Sequence, residues 1–477
     1  MQELVNLAVE YAEKLGADYA EARFQSDLKK MYLLVNGKPD VGRFVRSSGM
    51  GIRVLVDGGL GFLSMNRPDK KMLRKRVRET LKIARSSAKT FKGSIQLSPE
   101  KTFKEEWEVK PEVPFEDVSA KDKMSLLIDI DDAVSSVKDV GVKIPSRYLY
   151  ILEYETKKRF LNSEGTEISS SLPRLLFFGL LTASESGKGT EQDRLYKGES
   201  RGWEAVKQWN LVDYAREKAQ TLGRILKTAQ KAPKEKLDLV LGSEVVGLVM
   251  HESAGHPYEA DRIMGREAAQ AGESFITRDM IGQKIGPQIV TVVDDPTVEH
   301  SFGHYLYDDE GVKTRRRFLI KNGIINEFLH NRETAFEMGV ESNGAARAEF
   351  FDREPIVRMA NTFMLPGDST FEELVEDVKQ GVFMKTFGEW NIDDRRYNMR
   401  FVGRECYIIE DGELGRRIRR PILEITTPGF FGSIDALDEN LKFEGAICGK
   451  SDPMQGVPVW HGGPNVRVRD VRLGGIE

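Results

Sequence analysis

The sequence predicts an α+β fold with two mixed domains, each built on antiparallel sheets with flanking helices. Three observations predict it. Segments of helical period stand among alternating strand-like runs, turn signals join neighbouring runs, and 477 residues are too many for one ordinary core. A charged segment with a proline divides the chain. We therefore expect an N-terminal α+β domain over 1–229, a linker over 230–238 and a sheet-rich C-terminal domain over 239–477.

Four amphipathic segments predict the helices of the N-terminal domain. They cover residues 3–15, 67–88, 119–137 and 210–229. Gly16 ends the first of them, and the carboxylate of Asp69 can cap the second. Strand-like runs lie between these helices, and the glycines at Gly49, Gly51 and Gly58 predict hairpin turns.

The C-terminal domain is predicted to begin with a strand and a helix and to continue mainly as strands. The helix covers residues 243–256, with Ser243 as the expected N-cap. One further helix is predicted over 370–381. The pairs Asn322-Gly323 and Asp411-Gly412 predict tight hairpin turns between antiparallel strands.

The composition indicates a soluble protein without a membrane or nucleic-acid partner. The net charge is only −4, although 31% of the residues are charged, so no global field attracts polyanions. The N-terminus has no signal-peptide pattern, and the most apolar run, LPRLLFFGLLTA, is interrupted by Arg174 and is shorter than a bilayer span. Cys406 and Cys448 are the only cysteines. We expect a cytoplasmic location with reduced thiols.

The stretch HESAGH, residues 251–256, indicates a candidate metal site. His251 and His256 surround Glu252, as in the zinc motif H-E-x-x-H, but here the histidines are five residues apart instead of four. Catalytic zinc takes three protein ligands and one open position, and a nearby carboxylate accepts the proton of the attacking water. These three residues would supply two ligands and that base.

The five-residue spacing requires a distortion of the helix. On an ideal α-helix five residues advance about 500°, which leaves His251 and His256 roughly 140° apart. The two side chains converge if one turn widens into a π-bulge, or if the helix ends near Gly255 and the chain turns back. Pro257 disfavours the helical conformation for His256. A helix distorted at its last turn is favoured, and both routes stay open.

A third ligand has to come from another part of the chain. The candidates are Glu259, Asp261, His300, His304, His461 and Cys448. Cys448 lies in a glycine-rich segment with little periodicity, which predicts a loop, and a lone cysteine is commonly a small buried apolar residue. His300 and His304 lie in a segment with a glycine and are expected in a loop.

Several segments resemble the TldD/PmbA peptidases, and specifically the TldD-like subunit that carries the metal motif. HESAGH matches the H-E-x-x-x-H signature of that family. The segments GMGIRVLVDGGLGF, RMANTFMLPGD, FVGRECYIIEDGELGRRIR and CGKSDPMQGVPVWHGGP are similar to family elements in the same order, so the resemblance covers nearly the whole chain. The segment DDPTVEHSFGHYLY departs from the turn of bacterial members, which leaves the peptide preference open.

The resemblance implies a zinc-dependent peptidase that hydrolyses unfolded or extended peptides, with residues 239–477 as the metallopeptidase domain. It implies one zinc per subunit, with His251, His256 and Cys448 as ligands and Glu252 as the general base. It also implies pairing with a PmbA-like subunit or with a second copy of the chain. Family substrates include peptide antibiotic precursors and an antitoxin.

Three further residues are candidates for contacts with the substrate or the developing oxyanion. They are Tyr258, His304 and His461. Such donors gain importance because a thiolate ligand makes zinc a weaker Lewis acid. Two other functions are compatible with the sequence. One is a non-catalytic peptide-binding subunit of such a complex, and the less well supported one is a gyrase- or nucleic-acid-linked factor, for which basic runs such as KKMLRKRVR are the only signal.

Overall fold

The computed structural model describes residues 2–40, 42–90, 93–137, 142–267 and 273–475. The predicted α+β class is confirmed, because helices pack on antiparallel and mixed sheets in both parts of the chain. Within these ranges, every helix is too short or too polar to cross a membrane.

An eight-stranded sheet organises the N-terminal part. Its strands are β1 (Tyr19–Val35), β2 (Lys38–Pro39), β3 (Arg43–Val56), β4 (Gly59–Asn66), β5 (Lys104–Glu108), β6 (Lys143–Asn162), β7 (Glu167–Glu185) and β8 (Gly189–Glu199). The order is β4-β3-β1-β6-β7-β5, with β2 beside β1 and β8 beside β7. All pairs are antiparallel except β5 with β7.

Five helices accompany this sheet. They are α1 (Gln2–Lys14), α2 (Lys70–Thr90), α3 (Ala120–Ser135), α4 (Ala205–Trp209) and α5 (Leu211–Thr228). Helices α1 and α2 share one apolar core with β1, β3 and β4, while α3 and α5 share another with β6, β7 and β8. The cap of α2 is confirmed, since Asp69 Oδ1 accepts the backbone N–H groups of Lys71 and Met72 at 2.8 Å each.

The predicted turns at Gly49 and Gly51 are wrong. Strand β3 runs through both positions, and the hairpin turn lies at Asp57-Gly58. A close approach of the C-terminal part explains both glycines. An added Cβ would lie 2.3 Å from the Phe351 ring at Gly49 and 2.4 Å from the Phe351 carbonyl oxygen at Gly51. These glycines therefore make room for the ring and the backbone of Phe351 and do not bend the chain.

We expect the substitution Gly49→Ala to lower the free energy of unfolding by about 1–3 kcal/mol, because the methyl group overlaps the Phe351 ring. Urea unfolding measures this change. Gly432→Ala is the control, since nothing lies within 4 Å of the added methyl group there and its φ is not positive. Equal free energies of unfolding for the two variants would show that the contact at Gly49 is not tight.

The C-terminal part contains a ten-stranded sheet, a six-stranded sheet and one two-stranded pair. Its strands are β9 (Gln230–Lys231), β10 (Lys236–Leu241), β11 (Val292–Asp294), β12 (Arg317–Lys321), β13 (Ile324–Ile325), β14 (Ala346–Arg347), β15 (Ile356–Val357), β16 (Asn361–Met364), β17 (Gln380–Met384), β18 (Phe387–Ile392), β19 (Asn398–Gly403), β20 (Cys406–Glu410), β21 (Glu413–Arg419), β22 (Pro421–Thr426), β23 (Ile434–Leu437), β24 (Lys442–Lys450), β25 (Gln455–Gly463) and β26 (Val466–Gly475).

The larger sheet has the order β18-β19-β22-β26-β10-β17-β20-β21-β9, with β23 beside β26, and the smaller has the order β13-β12-β11-β16-β25-β24. The helices are α6 (Ser243–Met250), α7 (Ala260–Ile263), α8 (Arg332–Met338), α9 (Phe371–Glu376) and α10 (Thr427–Ser433). The segment 230–238, predicted as a linker, contains β9 and the first residues of β10. The domain division at this segment stays a prediction.

Two hairpin predictions in this part are confirmed, and one helix is shorter than predicted. Asn322-Gly323 joins β12 to β13 with φ values of 52° and 76°, and Asp411-Gly412 joins β20 to β21 with φ values of 49° and 82°. Positive φ at both central residues is the turn geometry that suits a two-residue hairpin. The helix predicted over 370–381 ends at Glu376, because the chain turns into the buried strand β17.

Buried ion pairs join the two parts of the chain. Arg53 Nη2 lies 2.7 Å from Glu310 Oε1, and Lys158 Nζ lies 2.7 Å from Asp309 Oδ1. Removing one member of a buried pair leaves an uncompensated charge and is strongly destabilising. These pairs therefore hold the N-terminal sheet against the loops of the C-terminal part.

Candidate metal centre

The HESAGH segment forms a π-helical turn. Helix α6 ends at Met250, residues His251–Gly255 form the π turn, and a 3₁₀ turn follows over His256–Tyr258. The His256 N–H donates to the His251 carbonyl, which is the i to i+5 bond of a π-helix. The wider turn brings the two imidazole rings to a centroid separation of 5.0 Å. The predicted distortion at the last turn is confirmed.

The expected effect of Pro257 on His256 is wrong. His256 keeps helical dihedrals, with φ −61° and ψ −45°. The preceding Gly255 explains why the chain remains compact here, since an added Cβ would lie 2.5 Å from Met359 Sδ. Tight packing of the turn against β16 and the chain before it overrides the local preference that proline imposes.

The predicted N-cap at Ser243 is wrong. The cap position is Gly242, and Ser243 is the first residue of α6. A side chain at position 242 is excluded, because an added Cβ would lie 2.3 Å from the Lys385 carbonyl oxygen. Asn465, in the connection between β25 and β26, supplies the cap, since its Oδ1 accepts the Ser243 N–H at 3.1 Å. The start of the helix is therefore set by tertiary contacts.

Cys448 lies in a strand, so its predicted loop is wrong. It belongs to β24, which pairs with β25 so that Cys448 is opposite Val457. Alternating burial is visible in the strand, with Cys448 and Lys450 buried and Ile447 exposed. The glycines of the segment concealed this alternation in the sequence, because a glycine has no side chain that marks the inner or outer face.

The structure brings His251, His256 and Cys448 together. One ligand atom from each lies within 4.8 Å of the others, and all three residues are buried. Cys448 Sγ is 3.4 Å from His256 Nε2. Zinc bonds of about 2.3 Å to sulfur and 2.0 Å to nitrogen at a tetrahedral angle place two such atoms about 3.5 Å apart. The donor types and this separation fit a zinc ion.

Glu259 orients His256 from behind. Its Oε2 is 3.0 Å from His256 Nδ1, which leaves Nε2 directed at Cys448. Although burial opposes ionisation, Lys450, His256 and Arg262 hold the pKa of Glu259 well below its usual range. A carboxylate on the outer nitrogen of a ligating histidine fixes its tautomer and ring orientation. Glu259 was a candidate third ligand in the sequence, and the structure gives it this supporting position instead.

Three of the remaining candidates for a third ligand, Asp261, His300 and His304, lie outside the cluster. Asp261 accepts hydrogen bonds from Lys450 Nζ at 2.7 and 2.8 Å. His304 Nδ1 is 2.9 Å from the Pro296 carbonyl oxygen, and its ring packs edge-on against Trp107. His300 is partly exposed beside Glu299. Among the residues that the structure describes, these side chains do not join the three-residue cluster.

Two cationic side chains shape the electrostatics around the cluster. Arg358 donates to the Cys448 carbonyl oxygen at 2.6 Å. Burial raises the pKa of the Cys448 thiol, but His256 and Arg358 outweigh it and lower that pKa to about 7. Arg396 Nε lies 3.3 Å from Glu252 Oε2. Burial opposes ionisation of Glu252, and His256, His251 and Arg396 together lower its pKa, so the carboxylate is the favoured form.

His461 and Tyr258 occupy buried positions near the cluster residues. The His461 ring lies 5.8 Å from the His251 ring, and an added Cβ at Gly247 would lie 3.0 Å from His461 Cδ2. The hydroxyl of Tyr258 is buried without a hydrogen-bond partner in the described part of the chain, and His461 Nε2 lies 3.7 Å from Glu444 Oε2. Sequence reasoning missed Arg358 and Arg396, because a single arginine carries no local signal of its partner.

Family models match almost the whole chain. The PmbA/TldA metallopeptidase domain 1 matches residues 20–88, the central domain matches 113–230 and the C-terminal domain matches 234–475. A metalloprotease of Methanothermobacter thermautotrophicus is 31% identical, with 96% of each chain covered. One of Methanocaldococcus jannaschii is 32% identical, with 97% of this chain and 98% of that protein covered. A protein of Saccharolobus solfataricus named zinc metalloprotease TldD homolog is 24% identical, with 98% and 99% covered.

Solved structures share the fold. TldE of Thermococcus kodakarensis superposes with a TM-score of 0.74 at 17% identity, covering 99% of this chain and all of that one (100%). The names of the matched family domains and of these relatives indicate a metallopeptidase. The chain belongs to the PmbA/TldD family.

Proposed function

We propose that this protein is a zinc-dependent peptidase that hydrolyses unfolded or extended peptides. One observation carries the proposal: two imidazoles and a thiol converge within 4.8 Å next to the buried carboxylate of Glu252. We infer one zinc per subunit, with His251, His256 and Cys448 as its ligands. Three protein ligands leave the fourth position open for chemistry.

Several residues of the chain have separate roles in the proposed hydrolysis. When bound, zinc supplies a Lewis acid that polarises a carbonyl and makes water a nucleophile at neutral pH. Glu252 accepts the proton of the attacking water on its carboxylate and returns it to the leaving amine. Arg396 keeps that carboxylate ionised and positioned, because its Nε lies 3.3 Å from Glu252 Oε2. His461 lies beside the cluster as a candidate oxyanion donor, and Tyr258 and His304 remain candidates for substrate contacts.

The position of β24 supports an extended substrate. This strand is at the end of its six-stranded sheet and has β25 as its one paired strand in the described part of the chain. An edge strand offers backbone N–H and C=O groups to an added strand, which is recognition without strong sequence preference. The Cys448 carbonyl is bound by Arg358, so we propose that a peptide pairs with other backbone groups of β24. Folded proteins are excluded because they offer no free strand.

The proposal extends to assembly and location. We propose that the subunit pairs with a PmbA-like paralogue or with a second copy of itself, and that it works in the cytoplasm. The likeness to TldE supports a family in which related chains share this fold. A reducing compartment agrees with the role of Cys448, because a thiolate ligand has to remain unoxidised.

Zinc content and chelation test the function. We expect about one zinc per chain by elemental analysis, and complete loss of hydrolysis of an unfolded protein after chelation, with recovery on adding zinc. Mass spectrometry of the products reports cleavage. Chelation is expected to remove the zinc, which is the Lewis acid, without unfolding the protein. Circular dichroism of the chelated protein serves as the control. A zinc-free protein that gains no activity with added zinc would indicate a non-catalytic peptide-binding subunit.

A further inference from the structure

A cavity of about 220 Å³ lies between the N-terminal sheet and the C-terminal part. One wall consists of side chains from β1, β6 and β7, including Lys29, Tyr154 and Arg174. The opposite wall comes from the loop at Phe302, from residues 347–349 and from the β24–β25 hairpin. This volume is below the roughly 300 Å³ of a site for a drug-sized molecule, so the cavity suits one end of a peptide chain.

Positive charge predominates on the walls of this cavity. Four cationic side chains line it, namely Lys29, Lys158, Arg174 and Arg347, against the two carboxylates of Asp309 and Glu349. Both carboxylates are already engaged. Lys158 Nζ contacts Asp309 at 2.7 and 3.0 Å, and Glu349 accepts the Gly456 N–H at 2.9 Å. Lys29, Arg174 and Arg347 form no ion pair within the described residues. A further carboxylate, that of Asp27, is buried behind this wall, where it accepts the Tyr154 hydroxyl at 2.9 Å.

The two arginines are buried and form hydrogen bonds with carbonyl oxygens only. Arg174 donates from Nε to Phe302 at 3.0 Å and from Nη2 to His304 at 3.3 Å. Arg347 donates to Met359 and Pro458, both at 2.8 Å. Neither guanidinium is within ion-pair distance of a carboxylate in the ranges that the structure describes. Burial, reinforced by neighbouring Arg347, lowers the pKa of Arg174 to about 10, which reflects the cost of this unpaired charge.

Two neutral groups and one further cation complete the polar wall. Gln25 Oε1 and Thr156 Oγ1 are buried without a hydrogen-bond partner in the described residues. Lys29 Nζ lies 4.4 Å above the Tyr154 ring and has no ion pair within those residues. A buried polar group without a partner is costly, so these groups are satisfied better when a ligand is present.

The cavity lies close to the candidate metal centre. Ile447 and Pro458, which line it, are a cross-strand pair next to the pair Cys448 and Val457. Val457 itself, which is directly opposite Cys448, also lines the cavity, so the cavity adjoins the hairpin at the position of Cys448. A peptide along the edge strand β24 therefore lies beside this cavity.

We propose that this cavity is a carboxylate subsite that receives the C-terminal carboxylate of a peptide substrate, with Arg174 and Lys29 as its cationic groups. The inference rests on the proposed peptidase function and specifies its substrates as peptides with a free terminus close to the cleaved bond. Guanidinium groups recognise carboxylates through charge-assisted hydrogen bonds, and a desolvated site strengthens them. Arg174 Nη1, which makes no hydrogen bond within the described residues, is the donor available for this contact.

Binding of matched peptides to the full-length Glu252→Gln protein tests the subsite without hydrolysis. The probes are fluorescently labelled hexapeptides of one sequence, with a free C-terminal carboxylate or a C-terminal amide, and an amide with Glu as its last residue. We expect the free acid to bind at least about tenfold more tightly than the amide. Tight binding of the Glu amide would also support the subsite, and would show that it accepts a side-chain carboxylate as well as a C-terminal one.

Substitutions of the cationic groups complete the test. Arg174→Gln and Lys29→Gln are each added to Glu252→Gln. Each should lower the ratio of the affinity for the free acid to that for the amide toward one, without weakening amide binding. Arg224→Gln, an exposed change on α5, should leave the preference intact. Lys29→Gln keeps the test decisive if Arg174→Gln does not fold. Equal binding of acid and amide, or a preference unchanged in the folded variants, would overturn the subsite. Cleavage by the wild-type protein without this preference would leave the peptidase function standing.

Discussion

Replacing Glu252 with glutamine is expected to abolish peptide hydrolysis and to leave the zinc content unchanged. The fall in kcat/KM should be about 10²–10⁴-fold, which is the contribution of a positioned general base. The amide has nearly the same shape as the carboxylate but cannot accept the proton of the attacking water at neutral pH. The three ligand atoms are untouched, so elemental analysis should give the same metal content as for the wild-type protein. Cleavage of an unfolded protein, followed by mass spectrometry, measures the rate.

The control for this variant is Glu410→Gln, an isosteric change at an exposed position on β20. It should cleave at the wild-type rate. Glu252 also faces Arg396 at 3.3 Å, so thermal unfolding has to show that Glu252→Gln remains folded. A folded Glu252→Gln protein that cleaves peptides at the normal rate would show that the proposed mechanism is wrong.

Replacing Cys448 with alanine is expected to remove zinc and activity together. Even changes in residues that only orient metal ligands reduce metal affinity 10–100-fold, so loss of a direct ligand should reduce it by more than about 100-fold. Zinc content after dialysis and competition with a chelator of known affinity measure the loss. Excess zinc should restore little activity, because two imidazoles hold the metal weakly and without the required geometry.

Cys406 provides a matched control for this loss. It is the other cysteine of the chain and is also buried, but it lies on β20 against Gly403. Burial raises the pKa of its thiol well above the usual value, in contrast to the lowered pKa of Cys448. Cys406→Ala removes the same atoms from a buried site and should keep both zinc and activity. Similar zinc loss in both variants would contradict the assignment of Cys448 as a ligand.

The amino-acid sequence by itself determined the fold class, the longer helices and the two histidines of the candidate centre. Helical period and strand alternation are local patterns, and they were sufficient for α1, α2, α3 and α5. The cap at Asp69 and the turns at Asn322 and Asp411 were also predicted, because each depends on residues adjacent in the chain. The distortion within HESAGH followed from the geometry of a helix alone.

The tertiary structure decided the features that depend on contacts between distant segments. Gly49 makes room for the Phe351 ring and Gly242 for the Lys385 backbone, so the sequence suggested a turn and a cap that are not there. Glu259 was one of the candidates for the third ligand, and its place behind His256 depends on Lys450, almost two hundred positions further along the chain. Packing energy is gained between such segments, and it outweighs local preferences of about 1 kcal/mol.

The third member of the cluster illustrates the same division. The resemblance to a family indicated Cys448, but spacing could not, because 192 positions separate it from His256. Only the pairing of β24 with β25, and the packing of α6 against β25, bring its sulfur to the imidazoles. Local sequence therefore determined which side chains could bind a metal. The fold decided which of them meet, because donor atoms converge only where the backbone hydrogen bonds and the packed core hold them.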